Sequence, residues 1–170
     1  MYNARIAGVG HFVPENVVTN DDLSQLMETN DEWIRERTGI QERRWVKEGD
    51  GNTAATMGIK AAKKAIAAAG ISNQEIDHVV FATISPDYYF PGCGVQVQEA
   101  LELGTAGATD IRNACSGFIY ATSIANAFIK TGMYENVLVV CAELQSPFLD
   151  KTTRGRGVSV IFGDGAGAVV

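Results

Sequence analysis

Apolar positions along this chain follow two rhythms, short β-branched runs and longer stretches with helical spacing. The run at 6–13 alternates small and β-branched residues and stops at Pro14, which predicts a first strand. Asn20 is expected to cap a helix, because Asp21 and Asp22 then sit in its first turn, where the helix dipole favours negative charge. A second short helix is predicted over 31–38, capped by Asn30 and stopped by Gly39. The clearest helix covers 53–69, alanine-rich, with Met57, Ile59, Ala62 and Ile66 on one side and Gly70 at its end. The continuous apolar run at 79–84 has the pattern of a strand covered on both faces. Helix, strand, helix and strand then follow at 95–103, 108–112, 116–130 and 137–142, and 158–170 reads as two strands about the turn Gly163-Asp164-Gly165.

This order implies an α/β fold: a mixed five-stranded sheet, mostly parallel, covered by helices, with one antiparallel strand contributed by the closing hairpin. There is no long linker, repeat or low-complexity segment. The last strand stops at Val170 with neither cap nor polar tail, as a boundary inside a longer chain would look.

Composition narrows the possibilities. With 170 residues, 46% hydrophobic and 20% charged, the chain can bury one ordinary core. A net charge of −6 argues against nucleic-acid binding, which needs lysine and arginine to displace counterions from phosphates. Cys93, Cys115 and Cys141 are an odd number without C-x-x-C spacing, so neither a disulfide framework nor a metal site is suggested and a reducing compartment fits. The amino terminus lacks the basic region and apolar core of a signal peptide, and no apolar stretch approaches the roughly 20 residues that span a bilayer. A soluble, cytoplasmic protein with no membrane contact is expected.

The sharpest chemical signal is Thr109-Asp110-Ile111-Arg112-Asn113-Ala114-Cys115-Ser116-Gly117-Phe118. A predicted strand delivers the chain into a turn of small residues, and a helix begins directly after Cys115. Unpaired N–H groups at a helix start stabilise a thiolate over a thiol, and the nucleophile's own amide points where an oxyanion forms during attack on a thioester. Spacing alone balances this against a small buried hydrophobe. Cys141 lies within an apolar run and is expected to be inert, while Cys93, in Pro91-Gly92-Cys93-Gly94, is either a second candidate nucleophile or part of a plain turn. Gly8-Val9-Gly10 lacks the third glycine of a dinucleotide fingerprint, and Gly163 to Gly167 lacks the lysine of a phosphate loop.

Three segments carry a family resemblance. Ala114-Cys115-Ser116-Gly117-Phe118 resembles the nucleophile motif of β-ketoacyl-acyl-carrier-protein synthase III enzymes, thiolase-like condensing enzymes. Asp31-Glu32-Trp33-Ile34 with Arg37-Thr38-Gly39-Ile40 resembles their early helix, and Phe162-Gly163-Asp164-Gly165-Ala166-Gly167-Ala168 resembles the end of their first half. The resemblance implies that residues 1–170 form an amino-terminal thiolase-like half whose carboxy-terminal half is absent from this chain. It implies an acyl-cysteine formed on Cys115 from acyl-coenzyme A, then decarboxylative condensation with malonyl-acyl-carrier protein at the start of fatty acid or related synthesis. No permanently bound cofactor is implied.

By the same resemblance Trp33 and Arg156 sandwich the adenine of coenzyme A, Thr29 and Arg37 add polar contacts, and Phe90 reaches across a homodimer to the neighbour's acyl pocket. The residues themselves leave each an ordinary role: core packing for Trp33, solvated charges for Arg37 and Arg156, a helix cap for Thr29, loop packing for Phe90. Asn113 stands where the family usually has a small apolar residue two before the cysteine, and Arg112 puts a charge just ahead of it. The condensation step uses a histidine and an asparagine of the second half, and neither His11 nor His78 lies in a matching motif, so the chain alone is expected to be inactive. Two alternatives stand beside this reading: another thiolase-fold acyltransferase, or a non-catalytic half acting as a structural partner.

Overall fold

The computed structural model describes residues 2–170. In chain order the elements are β1 (Val9–Phe12), β2 (Val17–Thr19), α1 (Asn20–Ser24), α2 (Asp31–Thr38), β3 (Glu42–Arg44), α3 (Ala54–Ala69), β4 (His78–Ala82), α4 (Cys93–Ala100), β5 (Gly107–Ile111), α5 (Gly117–Thr131), β6 (Val137–Glu143), α6 (Arg156–Ser159) and β7 (Gly165–Val169). They form two compact units, one built from the stretch up to Phe12 with Thr53–Glu143 and Gly165–Val170, the other from Val13–Asn52 and Leu144–Asp164. Among the described residues no helix is long and apolar enough to cross a membrane.

The first unit carries a five-stranded sheet in the order β1-β7-β6-β4-β5. β4 runs parallel to both β5 and β6, and β7 is antiparallel to β6 and β1. One strand therefore opposes the other four, the mixed sheet that the alternation of elements implies. Every residue of β4 is buried, as its unbroken apolar run requires. On one face α5 packs Ala121 and Ala125 onto Val80, Ala82, Val137, Val139 and Val169.

β1 meets α3 backbone to backbone. A Cβ added at Gly10 would run into the Ala61 carbonyl and the Ala65 amide, and one at Gly8 into the Ala65 carbonyl and the Ala69 amide. These two glycines, which fit no nucleotide-binding fingerprint, let a strand lie against a helix of alanines. Gly10→Val is expected to cost about 2–4 kcal/mol, because overpacking against main chain has no rotamer to absorb it. Urea unfolding would show this as a lower midpoint at unchanged slope.

His78 opens β4 and is buried. Its ring stacks on Tyr134 with centroids 4.8 Å apart and meets the edge of Phe128 at 5.2 Å. Nε2 bonds Thr109 Oγ1 at 3.0 Å, whereas Nδ1 is buried with no hydrogen-bond partner among the described residues. Burial holds the imidazole pKa below its ordinary 6.5. The unfolded chain then takes up the proton first as pH falls, so this contribution to stability is full above about pH 6.5 and is lost progressively below it. His78→Phe should flatten that loss in urea midpoints measured between about pH 7.5 and pH 5.

The second unit pairs β2 with β3 antiparallel and buries Val18, Leu23, Met27, Ile34, Trp45 and Val160. The expected cap of α1 is displaced by one residue. Thr19 is the N-cap and forms a capping box with Asp22, while Asn20 lies just inside the helix and is buried. The expected hairpin over 158–170 does not form. Arg156–Ser159 is a short helix, and β7 finds its partners in β1 and β6. The glycine-rich segment that reads as a turn instead presents Asp164 inward. Its carboxylate accepts the amides of Val46, Gln145 and Ser146 and the hydroxyl of Ser146, drawing segments distant in sequence onto one buried side chain.

Candidate active site

β5 carries the chain to the carboxyl edge of the parallel strands, and within a few residues the backbone reverses into α5. Ala114 sits at φ +47°, in the left-handed region that costs a residue with a Cβ about 1 kcal/mol or more. A short 3-10 turn, Ala114–Ser116, follows, with the Ser116 amide and hydroxyl both donating to the Asn113 carbonyl at 3.2 and 2.9 Å. α5 then starts at Gly117, where a Cβ would stand 3.0 Å from that of Ala82 on β4, so glycine lets the helix begin hard against the sheet. No side chain caps α5, and its first amide, that of Gly117, donates to the Ala114 carbonyl of the turn. Held by this elbow, Cys115 is exposed.

The other thiols are placed differently. Cys93, the second candidate nucleophile, begins α4 with its side chain wholly buried, and burial pushes its pKa up to about 11. Cys141 is partly buried on β6 and is pushed up to about 11 as well, by burial first and then by the Glu143 carboxylate. Arg112 and Asn113, the two departures from the family pattern, are exposed beside the elbow, with the Arg112 guanidinium 3.8 Å from Asp110.

Phe90 belongs to a run in which Tyr88, Tyr89 and Phe90 are 64%, 95% and 86% exposed. Both ends of this run are tied. Asp87 accepts the Thr53 hydroxyl at 2.6 Å and the Ala55 amide at 3.1 Å, and after Pro91 the amides of Cys93 and Gly94 donate to Asp110 on β5. Three aromatic rings therefore project from an anchored loop. Of the histidines, His11 is exposed on β1 and His78 is the buried residue described above.

The residues expected at an adenine lie in the second unit. Asn30 caps α2 by accepting the Trp33 amide at 2.8 Å. The guanidinium carbons of Arg37 and Arg156 stand 4.4 and 4.7 Å from the centroid of the Trp33 ring. Arg37 also donates to the Trp33 carbonyl at 3.3 Å, and Arg156 donates to the Glu28 carbonyl at 2.6 Å. The structure thus brings Trp33, Arg37 and Arg156 together, with Arg156 resting on the ring itself. A base stacked on both planes would need that guanidinium to swing outward. The Thr29 hydroxyl is buried and has no hydrogen-bond partner among the described residues, and the cap of α2 is Asn30.

Residues 109–170 match the family model described as 3-oxoacyl-[acyl-carrier-protein] synthase III. Beta-ketoacyl-[acyl-carrier-protein] synthase III 1 of Bacillus cereus is 48% identical over 168 residues, a match covering 99% of this chain and 53% of that protein. The synthase III of Clostridium novyi is 44% identical over 170 residues, covering all of this chain and 51% of the relative. Among solved structures, the synthase III of Aquifex aeolicus superposes with a TM-score of 0.92 at 47% identity, covering 97% of this chain and 52% of that one. The priming β-ketosynthase of the R1128 polyketide pathway gives 0.91 at 36% identity, covering 97% and 48%. The fold is that of the thiolase-like condensing enzymes. Within that class the chain is similar along nearly its whole length to β-ketoacyl-acyl-carrier-protein synthase III enzymes, and it spans about half the length of the relatives it matches.

Proposed function

We propose that this chain is the amino-terminal, acyl-accepting half of a β-ketoacyl-acyl-carrier-protein synthase III that starts fatty acid or related synthesis. The Cys115 thiolate attacks the thioester carbonyl of an acyl-coenzyme A, the tetrahedral oxyanion collapses, and the coenzyme A thiolate leaves an acyl-cysteine behind. Malonyl-acyl-carrier protein then loses carbon dioxide, and its carbanion attacks the acyl-cysteine, releasing 3-oxoacyl-carrier protein and restoring the thiolate. Parking the acyl group on sulfur lets one thiol carrier depart before the next arrives. What carries the proposal is the one exposed thiol among the described residues, held by a strained elbow at the start of α5, which no side chain caps.

Groups that would polarise the malonyl thioester are assigned to a carboxy-terminal half, in the same polypeptide or another. α5 offers such a half three exposed apolar side chains in its first turn, Phe118, Ile119 and Tyr120, 43%, 64% and 53% exposed, and Phe118 also lines a groove of about 270 Å³ between the Ala4–Ile6 segment, α5 and β6. Trp33, Arg37, Arg156 and Thr29 are assigned to coenzyme A, and the Phe90 loop to a second copy in a homodimer. Three unpaired cysteines support a cytoplasmic setting, and no resident cofactor is needed for this chemistry.

Mixing the full-length protein with an acyl-coenzyme A and malonyl-carrier protein should yield 3-oxoacyl-carrier protein. Transfer of the acyl group to some other acceptor would favour a different thiolase-fold acyltransferase. A protein that never acquires an acyl group would favour a purely structural half.

A further inference from the structure

We infer that Asn20 is a positioning residue for the coenzyme A contact, an inference that rests on the assignment of Trp33, Arg37 and Arg156 to that ligand. Its side chain is buried, at 2% exposure. Nδ2 donates to Asp31 Oδ1 and to the Ile40 carbonyl, both at 2.8 Å. Oδ1 accepts Arg43 Nη2, also at 2.8 Å. Asp31 is the first residue of α2 and Ile40 directly follows Gly39, its C-cap. One amide therefore holds both ends of the helix that carries Trp33 and Arg37.

A helix of eight residues has little stability of its own, so tertiary ties of this sort fix its direction. The second tie runs through Arg43, itself buried, which also donates to the Val18 carbonyl at 3.1 Å and to the Val160 carbonyl at 2.9 Å. Val160 is the C-cap of α6, whose first residue is Arg156. Asn20 and Arg43 together thus hold both walls of the cation-aromatic group, α2 and α6. The two ends of the amide suit their neighbours, an NH2 facing the Asp31 carboxylate and a carbonyl facing the Arg43 guanidinium, and this settles which atom is which. An aspartate at position 20 would set one carboxylate against another, and an apolar residue would leave the guanidinium without one of its acceptors. No residue in the network touches a substrate by this account; it acts by placing Trp33 and Arg156.

The test compares acylation of Cys115 in the full-length protein by an acyl-coenzyme A and by the same acyl group on pantetheine, which lacks the adenine nucleotide. The quantity read is the ratio of kcat/KM for the two donors. Asn20→Ala and Asn20→Asp should each lower that ratio about tenfold through KM for the coenzyme A thioester, as Trp33→Ala should. Asp31→Ala, made on the half-exposed side of the network, should lower it about threefold and carries the test if the Asn20 variants do not fold. A ratio unchanged in the Asn20 variants, or in Asp31→Ala should those not fold, overturns the inference if Trp33→Ala lowers it. If Trp33→Ala leaves the ratio unchanged, the coenzyme A assignment itself falls, and the inference with it.

Discussion

Replacing Cys115 by alanine should remove the acyl adduct entirely and lower condensation by at least about a thousandfold, with Cys115→Ser nearly as severe. The expectation follows from how the three thiols are placed. Cys93 and Cys141, each pushed up to about 11, expose about three thiolates in ten thousand at about pH 7.5, and burial withholds even those from a bulky thioester. Cys115 has no such shield, because Ala114 turns it outward and Gly117 lets α5 start immediately behind it. Intact-mass measurement after brief exposure to an acyl-coenzyme A should show one added acyl group, mapped by digestion to the peptide containing Cys115. Iodoacetamide should label the same site first. An adduct that survives in Cys115→Ala would defeat the assignment, whatever the remaining activity.

Asp164→Ala should destabilise the protein by about 3–5 kcal/mol. Three backbone amides and a hydroxyl converge on that buried carboxylate, and its own amide donates to the Arg44 carbonyl at 2.7 Å. Removing the acceptor takes away the shared partner of four donors, of which the Ser146 amide and hydroxyl are buried, and a buried donor left without its acceptor costs more than the bond itself contributes. Asp164→Asn keeps one acceptor oxygen but turns an NH2 toward donors, so it should fall between alanine and wild type. Urea unfolding of the three proteins checks the order, and a loss below about 1 kcal/mol for the alanine variant would show that water replaces the carboxylate.

What could be read from the chain was whatever depends on near neighbours. α2 begins and ends where Asn30 and Gly39 place it, because a cap is a bond between residues a few positions apart. β4 was legible because burial on both faces leaves a continuous apolar run. The exposed turn that holds Cys115 was legible because a strand, a small-residue turn and a helix are written consecutively around it. β2 and β3 were missed, each three residues long and one of them Glu42–Arg44, charged throughout and without a strand-like pattern. The hairpin was misread because β7 pairs with strands far away in the chain, and the local turn signal at Gly163 to Gly165 belongs to a buried carboxylate. Asn20 has every local sign of a cap. Its actual partners lie 11, 20 and 23 residues away, a constellation with no short-range signature.

β5 stands at the end of the sheet with a neighbour on one side alone, so a row of its main-chain donors and acceptors faces outward. Nothing in Gly107–Ile111 blunts that row: it has no lysine and no proline, and its one charge, Asp110, is spent on the amides that open α4. Such a margin is a template that any extended peptide can read, whatever its sequence. At high concentration intact molecules can therefore meet along this margin without losing their internal order.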